Sequence, residues 1–396
     1  MSSKTATSVS TDDLVSNASS LIPLLQDNAV EIDRSGVLPQ DVIEAMAEAG
    51  VFRLGVPEEF GGPGLVPLRV QHEVLVELGR GSASAAWIVG VSSLNCWLMT
   101  IGWPELLGEL FDSSHVGPYV AGSVFNPAAS KGVGRAVQGG FTLTGRWSFA
   151  SGVRQSAWLV GGADLTDEAG ATYRAFVLIP RSDFEIEDDW HVEGMQGTNS
   201  NSVRVTEEVF VPQARVFRIQ EFADIMRSRS EWALTVATAF APSIILGCAK
   251  TALELFVEKA TRSKPFGAPY DTLAAMPSTQ IVTGRAKADI MLVDAALREG
   301  TEIADKARAR EIDLEPGDFH TLRYAQVRGA DLLRTDVEAL QLTVGSSAAA
   351  EGDKLGRCAR DIRVMCFHNF WRHDWIAEQA GRAVLGVEPW PPRADV

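Results

Sequence analysis

The chain has 396 residues, of which 46% are apolar and 22% charged, and its formal net charge is -15 at pH 7. This composition is typical of a globular protein that buries more than one core, and it argues against extended disorder. The acidic balance, with no basic run to offset it, argues against a nucleic-acid partner. The four cysteines are scattered without close pairs, which predicts reduced packing residues of a cytoplasmic protein.

Two uncharged runs, 81–104 and 232–249, approach the length of a membrane span. Polar residues interrupt both runs, so we predict two buried core helices and no membrane partner. The first residues, 1–13, are polar and lack a basic stretch followed by an apolar one. No signal peptide is predicted from them.

Periodicity divides the chain into a helical part, a strand-rich middle and a second helical part, which predicts an α+β fold. The predicted domains are 1–117, 118–222 and 223–396. Helices are predicted at 38–49, 70–78, 85–99, 231–260, 278–309, 318–343 and 358–385. Strands are predicted at 119–124, 136–137, 141–144, 157–161, 173–179 and 202–211, with a hairpin turn at Gln138-Gly139-Gly140.

Common catalytic motifs are missing. The sequence has no phosphate loop, HExxH zinc motif, GxSxG elbow or complete GxGxxG fingerprint. The acidic stretch 185–191 contains carboxylates and His191, but its apolar residues Ile186 and Trp190 between charges are typical of a solvated strand edge. We therefore predict no metal site.

Several motifs in order along the chain carry a family resemblance. They are Gly50-Val51-Phe52 with Val56-Pro57-Glu58-Glu59-Phe60-Gly61-Gly62; Gly145-Arg146-Trp147-Ser148-Phe149-Ala150-Ser151-Gly152 with Ala157-Trp158-Leu159-Val160; Gly194-Met195-Gln196-Gly197-Thr198-Asn199-Ser200-Asn201-Ser202; and Arg262 with Phe266-Gly267, followed by Arg360 to Asn369. Together they resemble the acyl-CoA dehydrogenase superfamily, and more closely its group D branch of flavin monooxygenases. The resemblance implies an N-terminal helical domain, a middle β-barrel or sandwich domain and a C-terminal four-helix bundle.

The resemblance also implies a flavin site on the middle domain. Phe149 would pack on the isoalloxazine and Ser151 would hydrogen-bond the flavin N5, which agrees with the need of a flat ring for a flat apolar neighbour. A plain β-hairpin with a packed aromatic pair remains the alternative for these two residues. Further cofactor contacts are implied for Phe125, Trp147, Thr198, Ser200, Arg262, Phe266 and Gly345. Since Arg262 and Phe266 would contact a neighbouring subunit's flavin, the resemblance implies a homotetramer.

The catalytic base of the dehydrogenases is missing. Their glutamate corresponds to Asn369, whose amide cannot abstract a proton from carbon. Some dehydrogenases place the base on an earlier helix, at a position near Ala237, where this sequence is also apolar. His368 stands where the monooxygenase branch carries a histidine, which implies general acid/base or hydrogen-bonding duty; a core-packing histidine is the alternative.

The substrate pocket is predicted to include Ser92, Asn95, Trp97 and Asn369. Phenol-hydroxylating relatives often carry a second histidine on the helix before the β domain, and 90–95 has none. The substrate would then need no phenol deprotonation, which favours indole-type rings. Tryptophans that could wall off the pocket are Trp97, Trp103, Trp371 and Trp375.

The predicted function is that of a two-component monooxygenase. Reduced FAD, or FMN, from a separate NAD(P)H-dependent flavin reductase would react with O2 to give a C4a-hydroperoxide, which would hydroxylate a small electron-rich aromatic of phenol or indole type. Three alternatives stay open: an acyl-CoA dehydrogenase, an amino-sugar N-oxygenase resembling nitrososynthases, and a non-catalytic flavin-binding protein.

Overall fold

A computed structural model describes residues 11–112, 114–122, 129–228 and 240–387. The first part is helical, with α1 (Thr11–Ser20), α2 (Ile22–Asp27), α3 (Ala29–Ser35), α4 (Gln40–Glu48), α5 (Leu68–Gly81), α6 (Ala83–Gly102) and α7 (Leu107–Leu110). Ser82 joins α5 to α6, and its side chain caps α6 by accepting a hydrogen bond from the Ala85 N–H. The two helices that contribute to the site are therefore set directly one after the other.

The middle of the chain forms one eight-stranded sheet, with the strand order β6-β7-β3-β2-β4-β5-β8 and β1 paired in parallel with β4. The strands are β1 (Val120–Gly122), β2 (Ser130–Val137), β3 (Gly140–Trp147), β4 (Trp158–Thr166), β5 (Thr172–Pro180), β6 (Glu185–Ile186), β7 (Val203–Pro212) and β8 (Val216–Arg218). Gln138 and Gly139 turn between β2 and β3, where Gly139 has a φ of +83°. The predicted hairpin is thus confirmed, with Gly140 already in the strand.

Both faces of the sheet are buried. Leu159 of β4 and Val177 of β5 join a core within the sheet domain. Their neighbours Val160 and Leu178 point to the opposite face and pack with residues of α6 and α7. Since side chains alternate along a strand, two buried faces require the unbroken apolar runs seen in the sequence.

The last part of the chain is helical again and forms a bundle around its longest helices. Its helices are α8 (Ile219–Ser228), α9 (Phe240–Arg262), α10 (Pro277–Arg308), α11 (Pro316–Val344), α12 (Lys354–Cys366) and α13 (His373–Val384). Helix α9 lies close against α5, because a Cβ at Gly247 would collide with the Val76 carbonyl oxygen. This glycine lets the N-terminal and C-terminal helices share one core.

Some predictions need correction. The helix predicted at 358–385 is two helices, since α12 ends at Cys366 and a short 3-10 turn, Asn369–Trp371, precedes α13. The amphipathic pattern continues across this break, so periodicity did not reveal it.

The strands of the middle domain, predicted as a β-barrel or sandwich, are joined in one eight-stranded sheet, and the predicted three-part α+β architecture is confirmed. The domain boundaries stay predictions; Phe222, taken as the last residue of the middle domain, lies in α8 and packs on Phe176 of β5.

The two apolar runs correspond to α6 and α9. Both helices are long and apolar enough to cross a membrane, and 67% of the apolar window in each is buried inside the chain. This burial is that of core helices, and each of the two contributes side chains to the largest hydrophobic core.

Candidate active site

A cavity of about 1040 Å³ lies where the helical parts meet the sheet. Its walls come from α5 and α6, from the segments that follow β3 and precede β7, and from the turn between α12 and α13. Apolar and aromatic side chains dominate these walls. The polar groups among them are hydroxyls, amides, one imidazole and a charged set, which is Arg308, Arg323, Arg372, Asp374 and Glu378. Such a combination is characteristic of a small-molecule or cofactor site.

Helix α6 forms one wall, with Trp87, Asn95 and Trp97 facing the cavity. Asn95 Nδ2 donates to the Val120 carbonyl oxygen at 3.3 Å, so its amide joins the wall to the first strand. The prediction for Ser92 is wrong. Ser92 is buried on another face of α6 against Cys96, and Ser93 lines the cavity in its place, because successive residues of a helix are about 100° apart.

Phe149 lies just past the end of β3, with 54% of its surface exposed in the cavity wall. Its φ is +64°, in the left-handed region that aromatic residues rarely occupy. The edge of its ring meets Trp190 with centroids 6.2 Å apart. A strained backbone that presents a flat apolar face to a cavity indicates a binding function.

Next to Phe149, a chain of hydroxyl groups runs along the cavity wall. Trp87 Nε1 donates to Ser151 Oγ at 3.2 Å, Ser151 Oγ lies 2.7 Å from Ser200 Oγ, and Ser200 Oγ lies 2.8 Å from Thr198 Oγ1. Thr198 Oγ1 in turn donates to the Met195 carbonyl oxygen at 2.8 Å. The structure thus brings the predicted residues Ser151, Thr198 and Ser200 together at the cavity.

The segment that carries Thr198 and Ser200 is anchored on α12. Met195 N–H donates to Asp361 Oδ1 at 2.6 Å, and a Cβ at Gly194 would lie only 2.6 Å from the Arg360 backbone. Burial raises the pKa of Asp361 to about 6, and the Asp33 carboxylate adds to that effect. The helix that ends beside His368 therefore also fixes the hydroxyl chain.

The prediction that Trp147 binds the cofactor is wrong. Trp147 is fully buried inside the sheet domain, where its Nε1 donates to the Gly162 carbonyl oxygen at 2.9 Å. Gly132, Gly145 and Gly161 leave room for its ring, because a Cβ on any of them would collide with the indole. Because side chains alternate along a strand, Trp147 points into the core of the sheet domain and not toward the cavity.

His368 lies in the turn after α12 and lines the cavity, with its ring 5.3 Å from that of Trp87 in an edge-on arrangement. Burial lowers the pKa of His368 to about 4. The imidazole is therefore neutral near pH 7 and can accept a proton or a hydrogen bond. Asn369 also lines the cavity, so the position of the dehydrogenase base holds an amide inside the site.

Three of the four tryptophans predicted to wall off the pocket do so: Trp97, Trp371 and Trp375 line the cavity. Trp103 does not, because it is buried in the cluster between α6, α7 and the sheet. Trp87 and Trp190, which the sequence reasoning missed, line the cavity instead. Their proximity to the flavin-binding motif depends on long-range packing, and no local signal marks them.

Arg262, Phe266 and Gly345 do not line the cavity. They lie on the surface, where Arg262 pairs with Glu258 at 2.6 Å and Phe266 is fully exposed. Their predicted contact with a neighbouring subunit's flavin stays a prediction. Phe125 and the apolar stretch around Ala237 lie outside the described residues.

The acidic stretch before β7 forms ion pairs on the surface. Arg146 donates to Glu187 at 2.8 Å and to Asp189 at 2.7 Å. Among the residues that the structure describes, no group of three or more histidine, cysteine or acidic side chains is placed to hold a metal ion. Two carboxylates, Asp374 and Glu378, line the cavity from α13, but both are largely exposed and each pairs with an arginine.

The described residues fit a flavin. Phe149 presents a half-exposed aromatic face, Ser151 presents a hydroxyl beside it, and the walls around them are largely apolar. A cavity of about 1040 Å³ has room for a tricyclic ring together with a small aromatic. The sequence motif around Phe149 and Ser151 thus lies at this cavity.

Two family models match most of the helical parts of the chain. "Acyl-CoA dehydrogenase, N-terminal domain" matches residues 24–107, and "Acyl-CoA dehydrogenase, C-terminal domain" matches residues 239–373. The chain belongs to the acyl-CoA dehydrogenase family. The position that the resemblance assigns to the dehydrogenase glutamate holds Asn369 in this chain.

Relatives in the acyl-CoA dehydrogenase family include flavin-dependent oxygenases. The chain is 27% identical to the oxygenase component of FADH(2)-dependent resorcinol hydroxylase from Rhizobium sp., over 95% of each chain. It is 28% identical to indole-3-acetate monooxygenase from Pseudomonas putida, over 91% of this chain and 90% of that one. The structure of XiaF from Streptomyces sp. in complex with FADH2 and glycerol has the same fold, with a TM-score of 0.85, 24% identity and coverage of 96% of this chain and 97% of that chain.

Proposed function

We propose that this protein is the oxygenase component of a two-component flavin-dependent monooxygenase, which hydroxylates a small electron-rich aromatic compound. The observation that carries the proposal is the pairing of Phe149 and Ser151 at one cavity with His368 and Asn369. The flavin site of the family is kept, while the base that a dehydrogenase needs is an amide. A separate NAD(P)H-dependent reductase supplies reduced flavin, as is implied by relatives that are named as oxygenase components.

The bound reduced FAD, or FMN, would supply two electrons and two protons for the reduction of O2. One oxygen atom would enter the aromatic ring as a hydroxyl, and the other would leave as water. The residues of the chain supply the environment. Trp97, Trp371 and Trp375 enclose the cavity and limit the access of water. The neutral His368 ring accepts a hydrogen bond or proton from the substrate.

The cavity favours an aromatic substrate over the alternatives. Most of the surface of its walls is apolar, which suits a flat aromatic ring better than an amino sugar with its many hydroxyls. Acyl-CoA dehydrogenation would need a base at Asn369. Between phenols and indoles we propose the indole type, because no second histidine is available on α6. Position 90 has no room for such a histidine either, because a side chain there would collide with the Phe240 ring.

We further propose that the protein is a cytoplasmic homotetramer in which Arg262, Phe266 and Gly345 reach a neighbouring subunit's flavin. The full exposure of the Phe266 ring supports this, because the ring is accessible to a neighbouring subunit.

Product analysis with labelled oxygen tests the proposed function. The protein is mixed anaerobically with photoreduced FAD and either indole, phenol or an amino sugar, and 18O2 is then admitted. We expect an indole or phenol product heavier by one 18O atom. Ser151→Ala and His368→Ala should lower its yield at least tenfold, the order expected when a hydrogen-bonding or acid/base group is lost.

The matched control is His320→Ala, which removes a histidine on α11 that does not line the cavity, and it should retain the wild-type yield. Oxidation of all the flavin with hydrogen peroxide as the sole product, for every aromatic offered, would contradict the proposal. A labelled product from the amino sugar alone would support the N-oxygenase instead.

A further inference from the structure

The hydroxyl chain beside Phe149 has a direction that its two ends determine. At one end, Thr198 Oγ1 lies 2.8 Å from the Met195 carbonyl oxygen. A carbonyl oxygen carries no hydrogen, so the hydrogen between these two oxygens belongs to Thr198. At the other end, the Trp87 indole is a donor only, and it occupies one lone pair of Ser151.

The hydrogens of the intervening hydroxyls follow from this end. Because the only hydrogen of Thr198 Oγ1 is directed at Met195, the contact with Ser200 at 2.8 Å requires Ser200 to donate to Thr198. The hydrogen of Ser200 is then used, so the contact of 2.7 Å with Ser151 requires Ser151 to donate to Ser200. Every hydroxyl in the chain donates in the direction away from Trp87.

Ser151 is consequently left with one lone pair and no hydrogen for a partner in the cavity. It accepts from Trp87, donates to Ser200 and retains the second of its two lone pairs. It is therefore an acceptor toward any group that approaches from the cavity side.

The two redox states of a flavin differ at N5, the atom that the family resemblance assigns to Ser151. Reduced flavin carries an N5–H donor, whereas N5 of oxidised flavin is an acceptor. We propose that Thr198 sets the direction of the hydroxyl chain, and that Ser151, held as an acceptor, thereby selects reduced flavin over oxidised flavin. This inference rests on the proposed function, and it makes Thr198 a positioning residue for the redox state of the cofactor.

The residues around the hydroxyl chain hold it in a defined conformation. Among the residues that the structure describes, four non-glycine residues have a left-handed φ, and three of them, Phe149, Met195 and Asn199, lie beside these hydroxyls. Thr198 and Ser200 are both buried to more than nine tenths and still face the cavity. Backbone strain that holds buried hydroxyls at a cavity is characteristic of functional sites.

The selection also suits a two-component enzyme. Its oxygenase has to capture flavin after the reductase has reduced it, and it has to release the flavin once it is oxidised. An acceptor at N5 favours the first state and disfavours the second, because two facing acceptors have no hydrogen to share.

Anaerobic titrations with FAD and with photoreduced FAD, followed by quenching of protein fluorescence, test the inference. We expect the wild-type protein to bind reduced FAD more tightly. Thr198→Val keeps the shape of the side chain without its hydroxyl, so the hydrogens of Ser200 and Ser151 can reorient toward oxidised N5. The ratio of the two Kd values should fall by roughly five- to tenfold, the worth of one hydrogen bond.

The midpoint potential of the bound FAD provides a second readout that is independent of turnover. For a two-electron couple, a tenfold loss of preference for the reduced form lowers the potential by about 30 mV. Thr198→Ser, which retains the hydroxyl, should keep the ratio and the potential of the wild type. Ser202→Ala is the matched control, because its hydroxyl contacts Ser148 at 3.1 Å and lies outside the cavity.

Folding of the Thr198→Val protein is expected, since the Met195 carbonyl oxygen still accepts from Trp190 Nε1 at 3.1 Å. Should this variant not fold, Ser200→Ala interrupts the same chain and should lower the ratio similarly. A wild-type protein without preference for reduced FAD would overturn the inference, and so would a Thr198→Val or Ser200→Ala protein that keeps the wild-type ratio and potential. A wild-type protein that binds neither form would instead overturn the proposed function.

Discussion

His368 is the residue whose surroundings change its chemistry most directly. A free histidine is half protonated near pH 6.5, but burial lowers the pKa of His368 to about 4. The unfolded chain takes up the proton first as the pH falls. The stability that the neutral ring contributes is therefore complete above pH 6.5 and is lost as the pH falls toward 4.

We expect the C2 proton of His368 to keep its chemical shift from about pH 8 to about pH 5.5 in an NMR titration, as a neutral ring should. Its resonance is assigned by its disappearance in His368→Gln. An inflection for His368 near pH 6.5 would show that the ring is solvated and would contradict its role as a neutral acceptor.

The end of β3 is held in place by Trp147, which precedes the two residues proposed to face the flavin. Its indole is buried against Gly132 of β2 and Gly161 of β4, and against Gly145 of β3 itself. Phe149 and Ser151 follow it directly and emerge at the cavity. The sequence motif correctly placed Phe149 and Ser151 side by side at a cavity, whereas Trp147 of the same motif faces the core of the sheet domain.

Gly161→Ala tests this packing, since the new Cβ would collide with Nε1 of the Trp147 ring. Overpacking of this kind should lower the free energy of unfolding by about 3 kcal/mol in urea titrations. Gly284→Ala is the control, because Gly284 lies within α10 with nothing within 4 Å of the added Cβ. That change should leave stability unchanged or raise it by up to about 1 kcal/mol. Equal effects of the two substitutions would refute the packing argument.

At the scale of the whole molecule, the C-terminal helices leave large apolar side chains in solvent. Ile281 and Leu292 of α10 and Leu342 of α11 are 70%, 65% and 81% exposed. Ile281 and Leu292 are eleven residues apart, which places them on one face of the helix. An apolar face of this kind supports the proposed association of four chains.

Light scattering after size exclusion should report a mass of four chains of 42.7 kDa each. Leu292→Glu should reduce this mass, because a charge would be buried at the interface between subunits. Val133→Glu, at a residue of β2 that is 61% exposed, should retain the wild-type mass. A wild-type protein that elutes as a monomer would exclude the tetramer.

The amino-acid sequence alone was sufficient to predict the family and the three-part architecture, and it marked Phe149 and Ser151 as candidates for flavin contact. These depend on local signals: periodicity for helices and strands, the turn at Gln138 and Gly139, and the short run around Phe149 and Ser151. The exchange of the dehydrogenase glutamate for Asn369 is likewise visible in the chain alone. This residue alone favours oxygenation over dehydrogenation, because an amide cannot remove a proton from carbon.

Only the tertiary structure decided which side chains meet at the site. Trp87 and Met195 are 108 residues apart in the sequence, yet they contact the two ends of the same hydroxyl chain. No local pattern predicts that arrangement. The face of its strand or helix on which a side chain lies also depends on the fold. Trp147 and Ser92 are examples, because both point away from the cavity. Packing of distant elements fixes both, because a motif states which residues are present but not which face they present.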